Sequence, residues 1–435
     1  MRLAILSLLF IFPSFIVFSQ ELYFPPVTGN TWETVSPGSL GWCEDAIPSL
    51  LDYLETNNTK AFIVLKDGKI VIEKYFGSFT RDSVWYWASA GKTLTSFMVG
   101  IAQQENLLSI SDTSSQYLGQ GWTNCTTEQE NKITIRHQLT MTTGLDDDLP
   151  DNHCTLDTCL LCLADAGTRW AYHNAPYTLL DDVIHSSTGV TLNNYINQKL
   201  KIPTGITGAF FASGNDNVFF SKARSMARFG LLILNHGNWN GNQIMTDTAY
   251  FHQMVNTSQS LNLSYGYLWW LNGKGSFRLP TLQFLFPGPL MPHAPMDMIS
   301  ALGKNGQIIN VVPDQNLVCI RMGDVPGTGE VSIAFNDTIW IKLNNVLCSI
   351  NATRETFESQ LKIFPNPAEN NLRIDLIGKI FDFTFIDLLG NILLNRKNNN
   401  GSAAFSVSDF ARGVYFLNIR TNQGIISRKI LLQFD

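Results

Sequence analysis

The chain has 435 residues, more than one ordinary hydrophobic core accommodates, so about two to three domains are expected. Its composition is globular, with 45% hydrophobic and 15% charged residues, which excludes low-complexity and fibrous classes. Net charge is −6 and the lysines and arginines are scattered. Without a basic stripe to meet phosphates, no nucleic-acid partner is expected.

Taken in chain order, Met1-Arg2 precedes an apolar run from Leu3 to Phe18, interrupted by Ser7, Pro13 and Ser14. A positive start, a short apolar run and a small residue at Ser19 predict a secretory signal peptide over residues 1–19. The run falls short of the roughly 20 residues a membrane-crossing helix needs. No later segment is apolar enough to span, so no transmembrane segment is expected once the leader is cleaved.

Ala61–Ile72 reads as a β-hairpin, two β-branched runs flanking Asp67-Gly68. From Ser89 the pattern turns helical, and Lys92 through Gln104 carries apolar residues at helical spacing. A mainly helical, loop-rich stretch follows over roughly 90–250. It includes Ile133–Met141, Tyr177–Ile184 and Ser225–Leu234. Strands are expected at Tyr265–Leu271, Gln307–Val312 and Asn316–Met322, and a last helix at Val331–Leu347. This order predicts an α+β domain over residues 20–350. One sheet is built from both ends of the domain, with a helical insertion and a cleft between the two parts. Residues 351–361 read as a polar linker, and 362–435 as a small β-sandwich of short alternating runs.

The seven cysteines are Cys43, Cys125, Cys154, Cys159, Cys162, Cys319 and Cys348. Export permits disulfides, and the odd count leaves at least one unpaired within the chain. Cys154, Cys159 and Cys162, with His153 beside them, have the spacing of metal ligands but lack a matched second pair. A local disulfide or simple burial is the preferred reading, and no metal or cofactor is expected. Cys319 lies in the apolar run Leu317–Ile320 and is expected in the core.

Three short motifs carry the chemistry. Ser89-Ala90-Gly91-Lys92 places a hydroxyl and an amine on one helical face. Serine needs a base to become nucleophilic, and Lys92 serves only if its pKa falls from about 10.4. The helix start also leaves the Ser89 N–H available to an oxyanion. Tyr172-His173-Asn174 offers a phenol that relays a proton where cations lower its pKa, and an amide that holds substrate or the lysine. Lys304-Asn305-Gly306 precedes a strand. It brings positive charge, a glycine permitting close approach, and the N–H of Gln307 as a second oxyanion donor.

Singly, each motif has an ordinary structural explanation. Together and in this order they resemble the serine β-lactamase and penicillin-binding-protein superfamily. The Tyr-x-Asn element resembles its class C side, which also holds D-aminopeptidases, family VIII esterases and nylon-oligomer hydrolases. The resemblance covers roughly residues 25–350, including Ile135–Leu145, Ser225–Gly230 and Tyr265–Trp270. It implies a β-lactamase/transpeptidase-like fold and acylation of Ser89. Lys92 and Tyr172 would share the general-base work, with the primary base left open, and Asn174 and Lys304 would orient substrate and keep the tyrosine acidic. Asn305 departs from the pattern, standing where β-lactamases carry a hydroxyl residue, and this favours an ester or amide substrate over a β-lactam. The aromatics Trp85, Tyr86, Trp87, Trp269 and Trp270 are expected mainly in the core, with some available to line an acyl pocket.

In the tail, Ile363–Ala368, Ile386–Gly390, Gly413–Leu417 and Arg428-Lys429 resemble the C-terminal sorting domain of the type IX secretion system. The resemblance implies export across both membranes to the cell surface or medium, with the secretion machinery as partner. The expected function is an exported serine hydrolase acting on a small ester, amide or peptide. The alternatives are a β-lactamase, a D-amino-acid-specific peptidase and a non-catalytic surface binding protein.

Overall fold

The computed structural model describes residues 22–326, 333–348, 361–388, 390–421 and 424–433. The expected leader 1–19, residues 351–360 of the expected linker and the first two residues of the expected helix Val331–Leu347 lie outside them.

Helix α1 (Ile47–Thr56) leads into the hairpin β1 (Thr59–Lys66) and β2 (Lys69–Tyr75). Its turn holds Asp67 at φ 50° and Gly68 at φ 81°, the positive-φ pair a tight hairpin with right-handed twist requires. Strand β3 (Val84–Tyr86) precedes a 3₁₀ turn, Ala88–Gly91, and α2 (Lys92–Gln104). Helix α3 (Ile135–Leu139) opens on a reciprocal cap between Thr134 and His137. After α4 (Leu180–Thr188) come β4 (Ala209–Ser213), β5 (Asp216–Lys222) and α5 (Ala223–Leu234). Then follow β6 (Trp270–Leu271), β7 (Ile299–Gly303), β8 (Gln307–Val312), β9 (Leu317–Gly323) and α6 (Ile333–Leu347).

The main sheet is antiparallel and six-stranded, in the order β2-β1-β9-β8-β7-β6. It is built from both ends of the α+β part, as the sequence pattern predicts. Every residue of β7, β8 and β9 is buried, so these strands read as continuous runs rather than alternating ones. Helix α5 packs on β8 and β9, and α1 on β1 and α6.

Two expectations need correction. Only Trp270 and Leu271 of the run Tyr265–Leu271 are strand. The preceding residues form a tight loop with Leu268 at φ 62°. Its N–H groups are spent on Trp269, Met254 and Leu139 carbonyls rather than on a neighbouring strand. The middle region also holds a small sheet in the order β3-β5-β4, which the expectation of helices and loops missed.

The C-terminal part has its own core, in which Leu372, Ile374, Phe383, Leu417 and Ile430 are buried. It comprises β10 (Lys362–Phe364), β11 (Asn371–Ile386), β12 (Ile392–Ser406), β13 (Gly413–Thr421) and β14 (Gly424–Leu432). The long β11 pairs with β10 along its first half, with β13 along its second, and with β12 along most of its length. A single sheet thereby curls over its own apolar face in the manner of a small sandwich.

Disulfides join Cys43 to Cys348, Cys125 to Cys162 and Cys154 to Cys159, and Cys319 is a buried free thiol. The cluster with metal-like spacing is thus divided between two disulfides, which consume its thiolates.

Candidate active site

The Ser89 turn is held from both sides. The Trp87 N–H donates to the Phe219 carbonyl at 2.8 Å, and its indole donates to Ser221 at 2.7 Å. On the other side β7 runs past the turn. A Cβ on Gly303 would lie 2.5 Å from the Trp87 carbonyl oxygen, so only glycine permits this approach. Ala88 is forced to φ 47°, an uncommon conformation for a residue with a side chain.

Helix α2 is buried from Lys92 to Ala102, and Lys92 is 5% exposed. Its Nζ donates to Ser89 Oγ at 3.2 Å and lies 4.1 Å from the Tyr177 ring centroid. Burial disfavours the ammonium form and pulls the lysine down to about 8, against the opposing pull of Asp216 and Asp181. The depression that the sequence reading required is therefore present, and burial is its cause.

Tyr172 hydrogen-bonds Ser89 as well. Its ring stacks on Trp270 with centroids 6.0 Å apart and meets Tyr265 edge-on. Burial pushes the phenol up to about 12, only partly offset by the Ser89 contact. This corrects the expectation of an acidic tyrosine: burial in the aromatic box raises the phenol, and the Asp216 carboxylate adds to the shift.

Asn174 donates to Asn152 Oδ1 at 3.1 Å and meets His153 Nε2 at 3.2 Å. His153 Nδ1 in turn contacts Asp216 at 2.8 Å. Lys304 lines the same cleft as Ser89, Lys92, Tyr172 and Asn174. Gly306 and Gln307 do not. The turn at Gly306 is covered by the guanidinium of Arg321, which donates to its carbonyl at 3.0 Å. Gln307 is fully buried and exchanges hydrogen bonds with Gly323 through its side chain. The strand running against the nucleophile turn is β7, so the glycine at closest approach is Gly303. The sequence reading looked three residues too late because the hairpin turn itself carries the Lys-x-Gly pattern. Asn305, at φ 62°, donates to the Tyr86 hydroxyl at 2.6 Å.

The cleft has a volume of about 1180 Å³. Much of its apolar lining comes from Phe277, Leu279, Leu282, Phe286 and Leu290, and Ile333 at the start of α6 adds to it. The residues from Phe277 to Leu290 carried no sequence signal, because a loop with one short strand pairing delivers them. Trp87, Trp269 and Trp270 are core residues, whereas Tyr86 reaches the cleft. Asn152, His153 and Asp216 were likewise missed as site residues. The first two sit beside the Cys154–Cys159 disulfide, and Asp216 opens β5.

Residues 55–331, more than half of the chain, match the beta-lactamase family. The chain belongs to the beta-lactamase family. Residues 362–433 match the secretion system C-terminal sorting domain, which directs type IX secretion to the cell surface or medium. An uncharacterized protein of Alkalihalophilus pseudofirmus is 25% identical over 318 residues, 64% of this chain and 87% of the relative. Among solved structures, a Bacillus anthracis protein assigned as a 6-aminohexanoate-dimer hydrolase superposes with TM-score 0.56 and 17% identity. The match covers 75% of this chain and 88% of that one. A family VIII carboxylesterase superposes with TM-score 0.53 and 13% identity, over 69% and 98% of the two chains. These likenesses establish a β-lactamase-type fold. No helix among the described residues is long and apolar enough to cross a membrane.

Proposed function

We propose that this member of the family is an exported serine hydrolase that cleaves an ester or amide through an acyl-enzyme on Ser89. The observation that carries this reading is the 3.2 Å contact between Ser89 and a buried lysine whose pKa is pulled to about 8. At pH 7.5 about a quarter of such a lysine is the free amine, against roughly one part in a thousand of an ordinary one. Tyr172, pushed up to about 12, stays protonated at that pH. Lys92 is therefore the base, and Tyr172 the donor that hands a proton onward.

In the first step Ser89 Oγ bonds to the substrate carbonyl carbon, and its proton passes to Lys92. The carbonyl oxygen becomes an oxyanion, held by the Ser89 N–H and by the edge of β7 near Gly303. Collapse breaks the bond to the alcohol or amine, which leaves with a proton from Lys92 relayed by Tyr172. Water then cleaves the acyl ester, its proton returning through the same groups, and restores the Ser89 hydroxyl. Asn174 and Lys304 orient substrate. The leader 1–19 starts export, residues 20–350 form the hydrolase, and the tail after the linker completes delivery.

Asn305 supports an ester or amide over a β-lactam, since its amide is engaged by Tyr86 and offers no hydroxyl to a drug carboxylate. The test is turnover of p-nitrophenyl butyrate and of nitrocefin by purified wild type and Ser89→Ala. Ester hydrolysis that disappears in the variant supports the reading. Faster turnover of nitrocefin would put a β-lactamase in its place, and no turnover of either would favour a binding protein.

A further inference from the structure

The small sheet β3-β5-β4 divides its side chains between two environments. Phe210 and Phe219 are buried on one face, with ring centroids 5.0 Å apart, and Phe219 packs on Trp87. The register sets Tyr86 opposite Phe220, Phe220 opposite Ala209, and Val218 opposite Phe211. Paired residues share a face and successive residues alternate, so Tyr86, Phe220, Val218 and Phe211 stand together on the other side. The first three line the cleft that holds Ser89. Phe211 carries the row past the lining. Its ring meets Phe220 edge-on at 5.7 Å, yet the residue is 58% exposed.

A second row of rings behaves in the same way. Phe277 and Phe286 line the cleft and stack with centroids 5.2 Å apart. Phe284 packs edge-on against Phe286 at 4.7 Å and is 44% exposed. Leu282, in the same loop, lines the cleft and is also well exposed. Both rows therefore begin in the cleft and end in solvent. Single apolar side chains on a surface are ordinary, but these continue the wall of a reaction site.

The charged groups of the lining have mixed sign. Lys304 faces the cleft together with Asp216 and Asp337, and each carboxylate lies 2.7 Å from a histidine Nδ1, of His153 and of His293. Such a set selects neither a cation nor an anion. What stands uncovered is apolar surface, and the molecule that covers it must extend outward from Ser89. From Tyr86 to Phe211 the sheet face crosses two strand spacings of about 4.8 Å and a step of two residues, so it runs for on the order of 10 Å. A butanoyl group is too short to cover it, whereas an octanoyl or decanoyl chain is long enough.

Building on the hydrolase reading above, we propose that the cleft face of the small sheet and the Phe277–Phe286 row form an extended subsite for a long unbranched apolar chain. The substrate class is then an ester or amide whose acyl or alkyl chain is of octanoyl length or more. Phe211 and Phe284 cover the distal end of that chain and act as specificity determinants.

The experiment uses the full purified chain and two ester series, each kept below its critical micelle concentration. On the acyl side, p-nitrophenyl butyrate is compared with p-nitrophenyl octanoate, and on the leaving side ethyl butyrate with octyl butyrate. Each methylene fully withdrawn from water is worth about fourfold, and a chain lying on one face withdraws part of its surface. Wild type should therefore favour the long chain by about tenfold or more in kcat/KM in at least one series. Phe211→Ser and Phe284→Ser should each lower that long-to-short ratio several-fold, and both side chains are exposed enough to be changed without disturbing the core. Ratios near or below one in both series, or a long-chain preference that survives intact in both variants, would overturn the subsite while leaving the hydrolase reading standing. Hydrolysis of none of the four esters would fail the hydrolase reading itself, and the subsite with it.

Discussion

Lys92 Nζ lies 3.2 Å from Ser89 Oγ at the start of a helix whose first 11 residues, Lys92–Ala102, are all buried. A helix surrounded by apolar neighbours is an unfavourable place for an ammonium, and that is what makes this lysine a usable base. The same burial that stabilises the fold through its apolar residues thereby sets the protonation state of the site.

Activity should depend on pH through this group. A lysine lowered to about 8 is protonated and inactive as a base below that pH, and becomes free amine as pH rises through it. kcat/KM for a neutral ester should rise with a midpoint near 8. Asp181, itself pushed up to about 7 by burial, holds one oxygen unpartnered and raises the Lys92 value. Asp181→Asn should move the midpoint to lower pH, and a pH–rate profile unchanged in that variant would detach Asp181 from the base.

Tyr172→Phe removes the phenol but keeps the stack on Trp270. The expected loss is about 10²–10⁴ in kcat/KM, the scale of a lost proton-transfer group, with little change in Tm. Near-normal turnover would show that Lys92 passes the proton to the leaving group unaided.

Gly303→Ala places a methyl 2.5 Å from the Trp87 carbonyl oxygen. Backbone cannot yield as a flexible side chain does, so the turn carrying Ser89 must shift. A stability loss of about 1–3 kcal/mol is expected in thermal or urea unfolding, with a larger fall in kcat than in substrate binding. The same change at Gly306, which does not line the cleft, places a methyl 2.9 Å from the Arg321 guanidinium and should disturb stability more than chemistry.

Deleting the residues after Arg354 should leave a purified enzyme with wild-type turnover, because the apolar cores on either side of that point are separate clusters. In cells the truncated chain should fail to reach the surface. Loss of activity in the purified truncation would tie the tail to the hydrolase.

Much of this was legible in the sequence where local chemistry decides structure. Asp67-Gly68 dictates its hairpin turn, and the spacing of Ser89 and Lys92 dictates a shared helical face. Tyr172 and Asn174 were recognisable as a pair because both lie on one short segment. Three kinds of feature were not legible. The apolar wall from Phe277 to Leu290 is brought to the cleft by a loop with almost no periodic pattern. The Asp216–His153 contact joins residues 63 positions apart, a distance no local motif encodes. Gly303 matters through its approach to Trp87, which depends on how β7 lies in the sheet. The aromatic run Tyr265–Trp270 misled for the opposite reason: its composition is that of a strand, but Leu268 at φ 62° turns the chain back on itself.

The most direct test of the acyl-enzyme is intact-mass spectrometry of the mature protein after exposure to a fluorophosphonate, with Ser89→Ala treated alongside. A single adduct on the wild type that is absent from the variant is the predicted result. A folded wild type that takes up no adduct, or a variant labelled as fully as the wild type, would contradict an activated nucleophile at Ser89.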